Sequence, residues 1–387
     1  MGEITILQLI KGLDIGGKNG GDSRFCLDLS KQLAKMGYKI ILCNFFVMNT
    51  SSEKRFLKDL ENSNIKIIQL VNWSEQNKYF HYLQSIRKLE GSLKHREINI
   101  IQSHFQLGTI ASFYIKAKNR NVKILRTVHN IKEYEEGTVG LIKRSLFAKR
   151  IYPAKLDAEV GVSQAIVEQL RAHPAAKQHP EKIHLIHNAI DLPERLPEIK
   201  PLRAEGQPFI IGSVGRLAEQ KGYRFLLAAM PGVLKAIPGC ELHLAGEGEE
   251  KAKLMAIADE LGISSQVKFR GYLGNISEFL NELDLFISSS LWEGLPTAIL
   301  EAIVAGVPVL ATDIAGNREL IQNGKTGWLV QPADTHALAR AILHAYHHPE
   351  LCQQFALEAR RILPQFSIQN VAEQYAQLYQ RLLAGAV

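Results

Sequence analysis

The sequence of 387 residues lacks the features that mark several specialised classes of protein. It has only four cysteines and no CxxC pair, which argues against structural zinc and against a disulfide framework. The apolar run at residues 302–311 is about half of the roughly 20 residues that a membrane-spanning helix needs. The N-terminal run ITILQLI is too short for a signal peptide. A cytoplasmic protein with free thiols, either soluble or peripheral at the inner face of the cytoplasmic membrane, is therefore expected.

The chain has many residues of both charges, but they are unevenly distributed along the sequence. The net charge is +7, yet residues 1–190 carry 29 Lys and Arg against 17 Asp and Glu. This asymmetry suits an anionic acceptor or an anionic membrane surface for the first half, although a merely solvated basic surface stays open. The chain shows no recognisable nucleic-acid-binding module, so nucleic acid is not expected as a partner.

Short apolar runs alternate with helical patterns along the first half. A helix is predicted at residues 22–36, where apolar residues recur at helical spacing until Gly37 ends the pattern. Parallel βαβ units follow from this alternation. The predicted strands are residues 4–10, 38–47, 65–70, 98–103, 122–127 and 158–161.

The alternation stops at residues 191–208, a proline-rich and charged stretch that predicts a linker. It then restarts, with strands predicted at residues 209–214, 241–245, 267–270, 285–288 and 308–312. The sequence therefore predicts an α/β protein of two doubly wound parallel-sheet domains with a cleft between them. The predicted domains are residues 1–190, joined by a C-terminal helix at 365–387, and residues 209–364.

Glycine-rich turns follow two of the predicted strands. The turn at residues 16–23 opens a helix, where backbone N–H groups could approach phosphate oxygens, although a tight turn without a ligand remains an alternative. The turn at residues 246–250 has three carboxylates where a pyrophosphate would sit in a dinucleotide site. We interpret this second turn as structural.

Four charged residues in the second half could bind a charged or hydroxylated ligand. Arg216 and Lys221 follow the first strand of the second domain and could neutralise a diphosphate. Glu293 and Glu301 flank Pro296, which suits the first position of a helix, and their carboxylates could accept hydrogen bonds from sugar hydroxyls. Taken singly, each is also typical of an exposed surface charge.

These motifs together resemble the family 4 glycosyltransferases, which have the GT-B fold of two Rossmann-like domains and retain the anomeric configuration of the donor sugar. The likeness extends over most of the chain. The segments that carry it are Gly20-Gly21 before Leu27-Asp28-Leu29, Thr127-Val128-His129-Asn130, Gly161-Val162-Ser163, His187-Asn188-Ala189-Ile190-Asp191, the string GRLAEQKG at 215–222, Glu293 to Glu301, and Gly306-Val307-Pro308-Val309.

The resemblance implies a role for each matching residue. Arg216 and Lys221 would grip the donor diphosphate, Glu293 and His129 would contact the donor sugar, and Glu301 would hold the ribose hydroxyls. The four residues Arg216, Lys221, Glu293 and His129 are thus the candidate catalytic set. The remaining donor-binding candidates are Gly20, Gly21, Gly215, Gly271, Tyr272, Gly294, Leu295 and Pro296.

The family mechanism needs no protein nucleophile, cofactor or metal ion. The acceptor attacks from the front face, and preorganised cations stabilise the negative charge of the departing nucleotide diphosphate. The sequence contains no Asp-x-Asp, which is consistent with metal-free neutralisation. Three departures from the family pattern stand out: Lys18 and Asn19 lengthen the glycine loop, and Ala189 and Ala315 replace common glycines.

The expected reaction moves a hexosyl or N-acetylhexosaminyl group to a glycan or polyprenyl-diphosphate-linked acceptor in surface polysaccharide or lipopolysaccharide biosynthesis. A UDP-sugar is the favoured donor, and GDP-mannose stays open. The basic segment at residues 141–152 could contact an anionic membrane or form an ordinary amphipathic helix. A nucleotide-sugar 2-epimerase and a non-catalytic membrane- or sugar-binding module of the same fold are the alternative functions.

Overall fold

The structure is a computed structural model that describes residues 3–13, 20–61, 63–74, 78–131, 144–201, 203–204 and 206–385. The chain divides into two compact units. The first unit combines Met1–Asp191 with Ile368–Val387, and the second is Leu192–Ser367. The backbone N–H of Ile368 donates to the carbonyl of Ile190 at 2.9 Å, which ties the start of the C-terminal helix to the first unit.

The first unit contains a parallel sheet of seven strands among its described residues, in the order β3-β2-β1-β4-β5-β6-β7. All six residues of β1 are buried, as expected for a parallel strand covered on both faces. The strands are β1 (Thr5–Ile10), β2 (Lys39–Val47), β3 (Ile65–Asn72), β4 (Ile100–Ser103), β5 (Lys123–Val128), β6 (Ala158–Gly161) and β7 (Ile183–Leu185).

Helices cover both faces of this sheet. The helices are α1 (Gly21–Lys35), α2 (Ser51–Glu61), α3 (Lys78–Leu93), α4 (Gln106–Lys118), α5 (Tyr152–Lys155), α6 (Gln164–Arg171) and the C-terminal helix (Ile368–Ala384). A π-helical segment, Arg144–Ile151, leads directly into α5. The apolar residues of α1, α2 and the C-terminal helix share one buried cluster, whereas those of α3, α4 and α5 share another. The sheet therefore has two distinct helical layers.

The described residues of the second unit form a parallel sheet of six strands, in the order β10-β9-β8-β11-β12-β13. The strands are β8 (Phe209–Val214), β9 (Cys240–Ala245), β10 (Val267–Gly271), β11 (Leu285–Ser288), β12 (Val309–Thr312) and β13 (Trp328–Val330). Its α-helices are α7 (Tyr223–Ala236), α8 (Lys251–Glu260), α9 (Ile276–Glu282), α10 (Thr297–Ala305), α11 (Ala315–Arg318), α12 (Thr335–His347) and α13 (Pro349–Ala359).

Two doubly wound parallel sheets confirm the predicted α/β class. The strands β7 and β13 were absent from the prediction, because each has three residues and is only partly buried, so neither forms a clear apolar run. In the second sheet the strand order reverses at β8, which lies between β9 and β11. Ligands of such sheets bind beyond the carboxyl ends of the strands at this reversal, which directs attention to the loops after β8 and β11.

All four cysteines are buried and unpaired. Burial raises the pKa of Cys240 and of Cys352 to about 12, so both thiols stay protonated and unreactive near neutral pH. Within the described part of the chain, no helix combines the length and apolarity needed to cross a bilayer.

Candidate active site

The carboxyl edge of the second sheet brings several predicted residues together. Gly215 and Arg216 directly follow β8, and Glu293 lies five residues after the end of β11. Gly271 ends β10 and Tyr272 follows it. Parallel strands all end at the same edge of a sheet, so these loops lie on one side of the second unit.

A close backbone contact sets the path of the loop that carries Arg216. The Gly215 N–H donates to the Ala245 carbonyl at 3.0 Å, and the Gly246 N–H donates to the Gly271 carbonyl at 2.8 Å. A Cβ at Gly246 would lie 2.0 Å from the Gly215 carbonyl oxygen, and the φ of Gly246 is +142°. Only glycine fits at position 246, so this turn supports the neighbouring loop.

Neighbouring side chains hold the Glu293 carboxylate of the candidate site. The residue is 6% exposed. Its Oε1 accepts hydrogen bonds from Lys221 Nζ at 2.6 Å and from Ser290 Oγ at 2.7 Å, and its Oε2 accepts one from Gln220 Nε2 at 3.1 Å. A buried carboxylate is stable only when it is paired and hydrogen-bonded in this way.

The electrostatics favour a charged Lys221. Burial is the largest single effect and acts to lower the pKa of the Lys221 ammonium, but the Glu293 carboxylate and Tyr223 together oppose it and the net pKa is raised. The positive charge of Arg216 acts in the opposite direction on Lys221, which places the two cations within electrostatic reach of each other. Arg216 is exposed and forms no ion pair with any other described residue, whereas Lys221 is bound to a carboxylate at the same edge.

Gln220 and Ser290 were not among the predicted site residues. Gln220 Nε2 also donates to the Trp292 carbonyl at 3.0 Å, and the Gln220 carbonyl accepts from the Leu291 N–H at 2.8 Å. Gln220 therefore joins the loop after β8 to the loop after β11. The only sequence signals were its position inside GRLAEQKG and the serine run that ends at Ser290.

The segment Gly294–Pro296 is buried and leads into α10. The helix begins at Thr297, with Pro296 at the N-cap position rather than at the predicted first helical position. Glu301 lies just over one turn into α10 and is half-buried. A Cβ at Gly316 would lie 2.6 Å from the Gly294 carbonyl oxygen, so α11 packs closely behind this segment.

In the first unit, His129 follows β5 and contacts a second histidine that was not predicted. His129 Nε2 lies 2.9 Å from His104 Nδ1, and His104 Nε2 lies 3.0 Å from Gln8 Oε1. Gln8 Nε2 donates to Gln102 Oε1 at 3.2 Å, so Gln8 Oε1 is an acceptor. It follows that His104 carries its proton on Nε2 and that His129 Nε2–H donates to His104.

The other nitrogen of His129 is also engaged. His129 Nδ1 lies 3.2 Å from Asn188 Oδ1. In a doubly protonated ring Nδ1–H would donate to this oxygen, whereas in a neutral ring Nδ1 would accept from the amide NH2 of a rotated Asn188. Burial lowers the pKa of His129 despite the opposing effects of Asp22 and Asn188, and burial together with His129 lowers the pKa of His104 well below its usual range. His129 can bind a ligand through a ring nitrogen only by exchanging one of these hydrogen bonds.

The glycine loop of the first unit is described only in part. Gly20 is the N-cap of α1 and Gly21 is its first residue. Ser23, in the first turn, is buried and its hydroxyl has no hydrogen-bond partner among the described residues. Residues 16–19, which include Lys18 and Asn19, lie outside the described residues, as do residues 141–143 of the basic segment. No group of three His, Cys, Asp or Glu among the described residues could hold a metal ion.

Two family models match consecutive parts of the chain. The model of Glycosyltransferase Family 4 matches residues 19–194, and the model of Glycosyl transferases group 1 matches residues 195–362. The putative glycosyltransferase EpsD of Bacillus subtilis (strain 168) is 35% identical over 171 residues, which cover 44% of this chain and 45% of that protein.

The lipopolysaccharide core biosynthesis glycosyltransferase LpsE of Rhizobium meliloti (strain 1021) is 34% identical over 170 residues, covering 44% of this chain and 49% of that protein. The matches thus span about half the length of these two relatives. The crystal structure of Anabaena Alr3699/HepE in complex with UDP and glucose is similar over 98% of this chain and 100% of that chain, with a TM-score of 0.77 and 19% identity. This similarity confirms the GT-B fold.

Proposed function

Because the chain belongs to the family 4 glycosyltransferases, we propose that it transfers a sugar from a nucleotide diphosphate donor to a glycan or lipid-linked acceptor. The sugar proposed is a hexose or an N-acetylhexosamine, and the pathway is surface polysaccharide or lipopolysaccharide biosynthesis. The single observation that supports this most is the grouping of Arg216, Lys221 and Glu293 at the carboxyl edge of the second sheet.

The proposed chemistry follows from the charges of these residues. Departure of the nucleotide diphosphate leaves negative charge on its β-phosphate, and Arg216 and Lys221 would stabilise that charge as it develops. Glu293 would accept hydrogen bonds from the donor sugar, and Glu301 from the ribose. We further propose that the anomeric configuration is retained and that the two cations, rather than a metal ion, neutralise the leaving group.

A uridine nucleotide is the proposed base. The structurally similar HepE was crystallised with UDP and with UDP-glucose, which supports a UDP-sugar over GDP-mannose in this proposal. The roles of His129, Gly20, Gly21, Gly215, Gly271, Tyr272, Gly294, Leu295 and Pro296 are likewise proposed from the family resemblance.

A thermal-shift screen of UDP-, GDP-, ADP- and dTDP-sugars, with a chelator present, tests the donor site. A ligand that binds only the folded state at a hundredfold excess over its Kd stabilises it by about 2.7 kcal/mol. We expect a UDP-sugar to raise the melting temperature and Arg216→Met to abolish the rise. If no nucleotide sugar raises the melting temperature of the folded protein, the transferase proposal is wrong.

Product analysis then separates transfer from isomerisation. A transferase releases UDP in step with an acceptor that gains one sugar, and the new bond keeps the anomeric configuration of the donor. A 2-epimerase would instead change the sugar with no acceptor present. Mass spectrometry and proton NMR of the products distinguish these results.

A further inference from the structure

The basic surplus of the first unit lies on one of its two helical layers. One layer consists of α3, α4 and the segment Arg144–Lys155, and we name it the basic layer. These elements contain nine Lys and Arg but a single acidic residue, Glu90. The opposite layer of α1, α2 and the C-terminal helix has seven Lys and Arg against six Asp and Glu. The excess of positive charge is therefore concentrated on the basic layer.

The same layer carries the exposed apolar side chains of the first unit. Within the described ranges, the first unit has six large exposed apolar residues. Five of them lie on the basic layer, and the sixth, Met36, follows α1. Phe80 and Leu83 on α3 are 64% and 65% exposed, and Leu146 is 48% exposed. The other two are Ile110 and Tyr114, both on α4. Clusters of exposed apolar residues are uncommon on soluble proteins and mark interaction sites.

Side-chain contacts join the three elements into one surface. The Tyr114 hydroxyl donates to Glu90 at 2.7 Å, which connects α4 to α3. Phe113 of α4 and Phe147 of the π-helical segment both contact the ring of Tyr152, with centroids 5.9 and 6.0 Å away. Glu90 also pairs with Lys118, and these two partners lower the pKa of its carboxyl group. The one acidic residue of these elements therefore stays ionised, and its negative charge is balanced by Lys118.

We propose that the basic layer is a docking surface for an anionic phospholipid bilayer. Its apolar side chains would enter the boundary between headgroups and acyl chains, while Arg87, Arg150 and Lys155 would bind anionic headgroups. Aliphatic side chains such as Leu83 and Leu146 gain free energy in a bilayer but gain none beside a nucleic-acid backbone. The combination therefore fits a lipid surface better than another polyanion.

The position of this surface bears on the acceptor. Phe80, Leu83 and Ile110 lie in the first two turns of α3 and α4, which begin at the carboxyl edge of the first sheet. His104 and His129 lie at this same edge, after β4 and β5. This step rests on the proposed function: a docked first unit would hold that edge close to an acceptor carried by a membrane lipid.

Vesicle co-sedimentation of the full-length protein tests the proposal without any donor or acceptor. The vesicles are phosphatidylcholine alone and an equimolar mixture with phosphatidylglycerol, each at low and high salt. We expect binding to the mixture only, weakened by salt. Because one cation contributes about 1 kcal/mol near an anionic surface, Arg87→Glu with Arg150→Glu should weaken partitioning at least tenfold. Phe80→Ser with Leu83→Ser should weaken vesicle binding most at high salt, where charge attraction is screened and apolar insertion dominates.

The matched control is Lys54→Glu with Lys58→Glu on α2, which makes the same change in net charge on the opposite layer at two exposed positions. If the control weakens binding equally, or if the protein ignores anionic vesicles at low salt, the proposal is wrong. If duplex DNA displaces the protein from vesicles and Phe80→Ser with Leu83→Ser has no effect, the layer is a general polyanion site and the bilayer proposal is also wrong. None of these variants touches the donor site, so a UDP-sugar thermal shift stays unchanged whichever way vesicle binding turns out.

Discussion

Lys221 Nζ lies 2.6 Å from Glu293 Oε1, so a cation and a carboxylate of the candidate donor site are bound to each other. The pair is partly buried, with Glu293 held further by Gln220 and Ser290. An incoming diphosphate must compete with a carboxylate for Lys221. The pair therefore serves the stability of the second unit as well as the proposed binding of the donor.

Replacement of each cation should separate these two effects. Lys221→Met leaves the Glu293 carboxylate buried without its cation, so we expect a loss of about 3 kcal/mol in the free energy of unfolding. Arg216→Met removes an exposed charge and should change stability by less than about 0.5 kcal/mol. Urea unfolding measures the stability of both variants, and calorimetric titration with UDP measures their affinity for the nucleotide. Both variants should bind UDP at least tenfold more weakly, and unchanged UDP affinity in Arg216→Met would contradict the assigned role.

Gln220 is expected to position Glu293 rather than to touch the donor. Gln220→Met keeps the shape of the side chain but removes both hydrogen bonds, so donor affinity should fall roughly tenfold. Gln220→Glu places a second carboxylate against Glu293 Oε2. Like charges raise the pKa of such a pair, which shares a proton at low pH and repels once both groups ionise.

The Gln220→Glu variant should therefore bind the donor most nearly like the parent protein at about pH 5 and progressively more weakly toward about pH 8. Calorimetric titration with a UDP-sugar across this range measures the difference. Gln220→Met serves as the control, since it adds no titrating group and its defect should not depend on pH. A parallel pH dependence in the two variants would contradict the positioning role.

The first unit should lose stability in mild acid because of its buried histidines. The folded-state pKa of His104 is lowered, so the unfolded chain binds more protons below the ordinary histidine pKa of about 6.5. Stability then rises with pH in that window and is lost as pH falls below about 6.5. His104→Gln can keep both hydrogen bonds without titrating, so its stability should fall less between about pH 7 and pH 5.

Tryptophan fluorescence can report this loss from the first unit alone. Trp73 lies in the first unit, whereas Trp292 and Trp328 lie in the second, and the chain has three tryptophans. In a background of Trp292→Phe with Trp328→Phe, urea unfolding followed at Trp73 therefore reads the first unit. If His104→Gln shows the same loss in acid as the parent, His104 is not the group responsible.

The close backbone approach at Gly246 predicts a steep cost for a single methyl group. Gly246→Ala would place a Cβ 2.0 Å from the Gly215 carbonyl oxygen at an unfavourable φ, so the loop before Arg216 must shift. We expect both a lower melting temperature and weaker binding of UDP. Gly232→Ala in α7 is the matched control, because the nearest atom to its Cβ would be 4.0 Å away. That substitution should stabilise the protein by up to about 1 kcal/mol and leave UDP affinity unchanged.

Local patterns allowed most strands to be predicted within two residues. The predicted strands at 158–161, 209–214 and 285–288 coincide with β6, β8 and β11. Such segments are short apolar runs bounded by turn residues, and a parallel strand buried on both faces requires that composition. The short strands β7 and β13 depend on pairing with a neighbouring strand rather than on their own composition, so the sequence showed no sign of them.

The candidate site divides along the same physical line. The sequence by itself determined which loops follow the strands and that Arg216, Lys221 and Glu293 have the charges a nucleotide sugar requires, because these properties belong to single residues and short motifs. Only the tertiary structure decided their partners. Lys221 and Glu293 are 72 positions apart in the sequence, and His104 and His129 are 25 apart. Each pair comes into contact because its two residues follow neighbouring strands of a parallel sheet. Spacing along the chain does not encode those distances, because the order of strands in a sheet is settled by the packing of the whole domain.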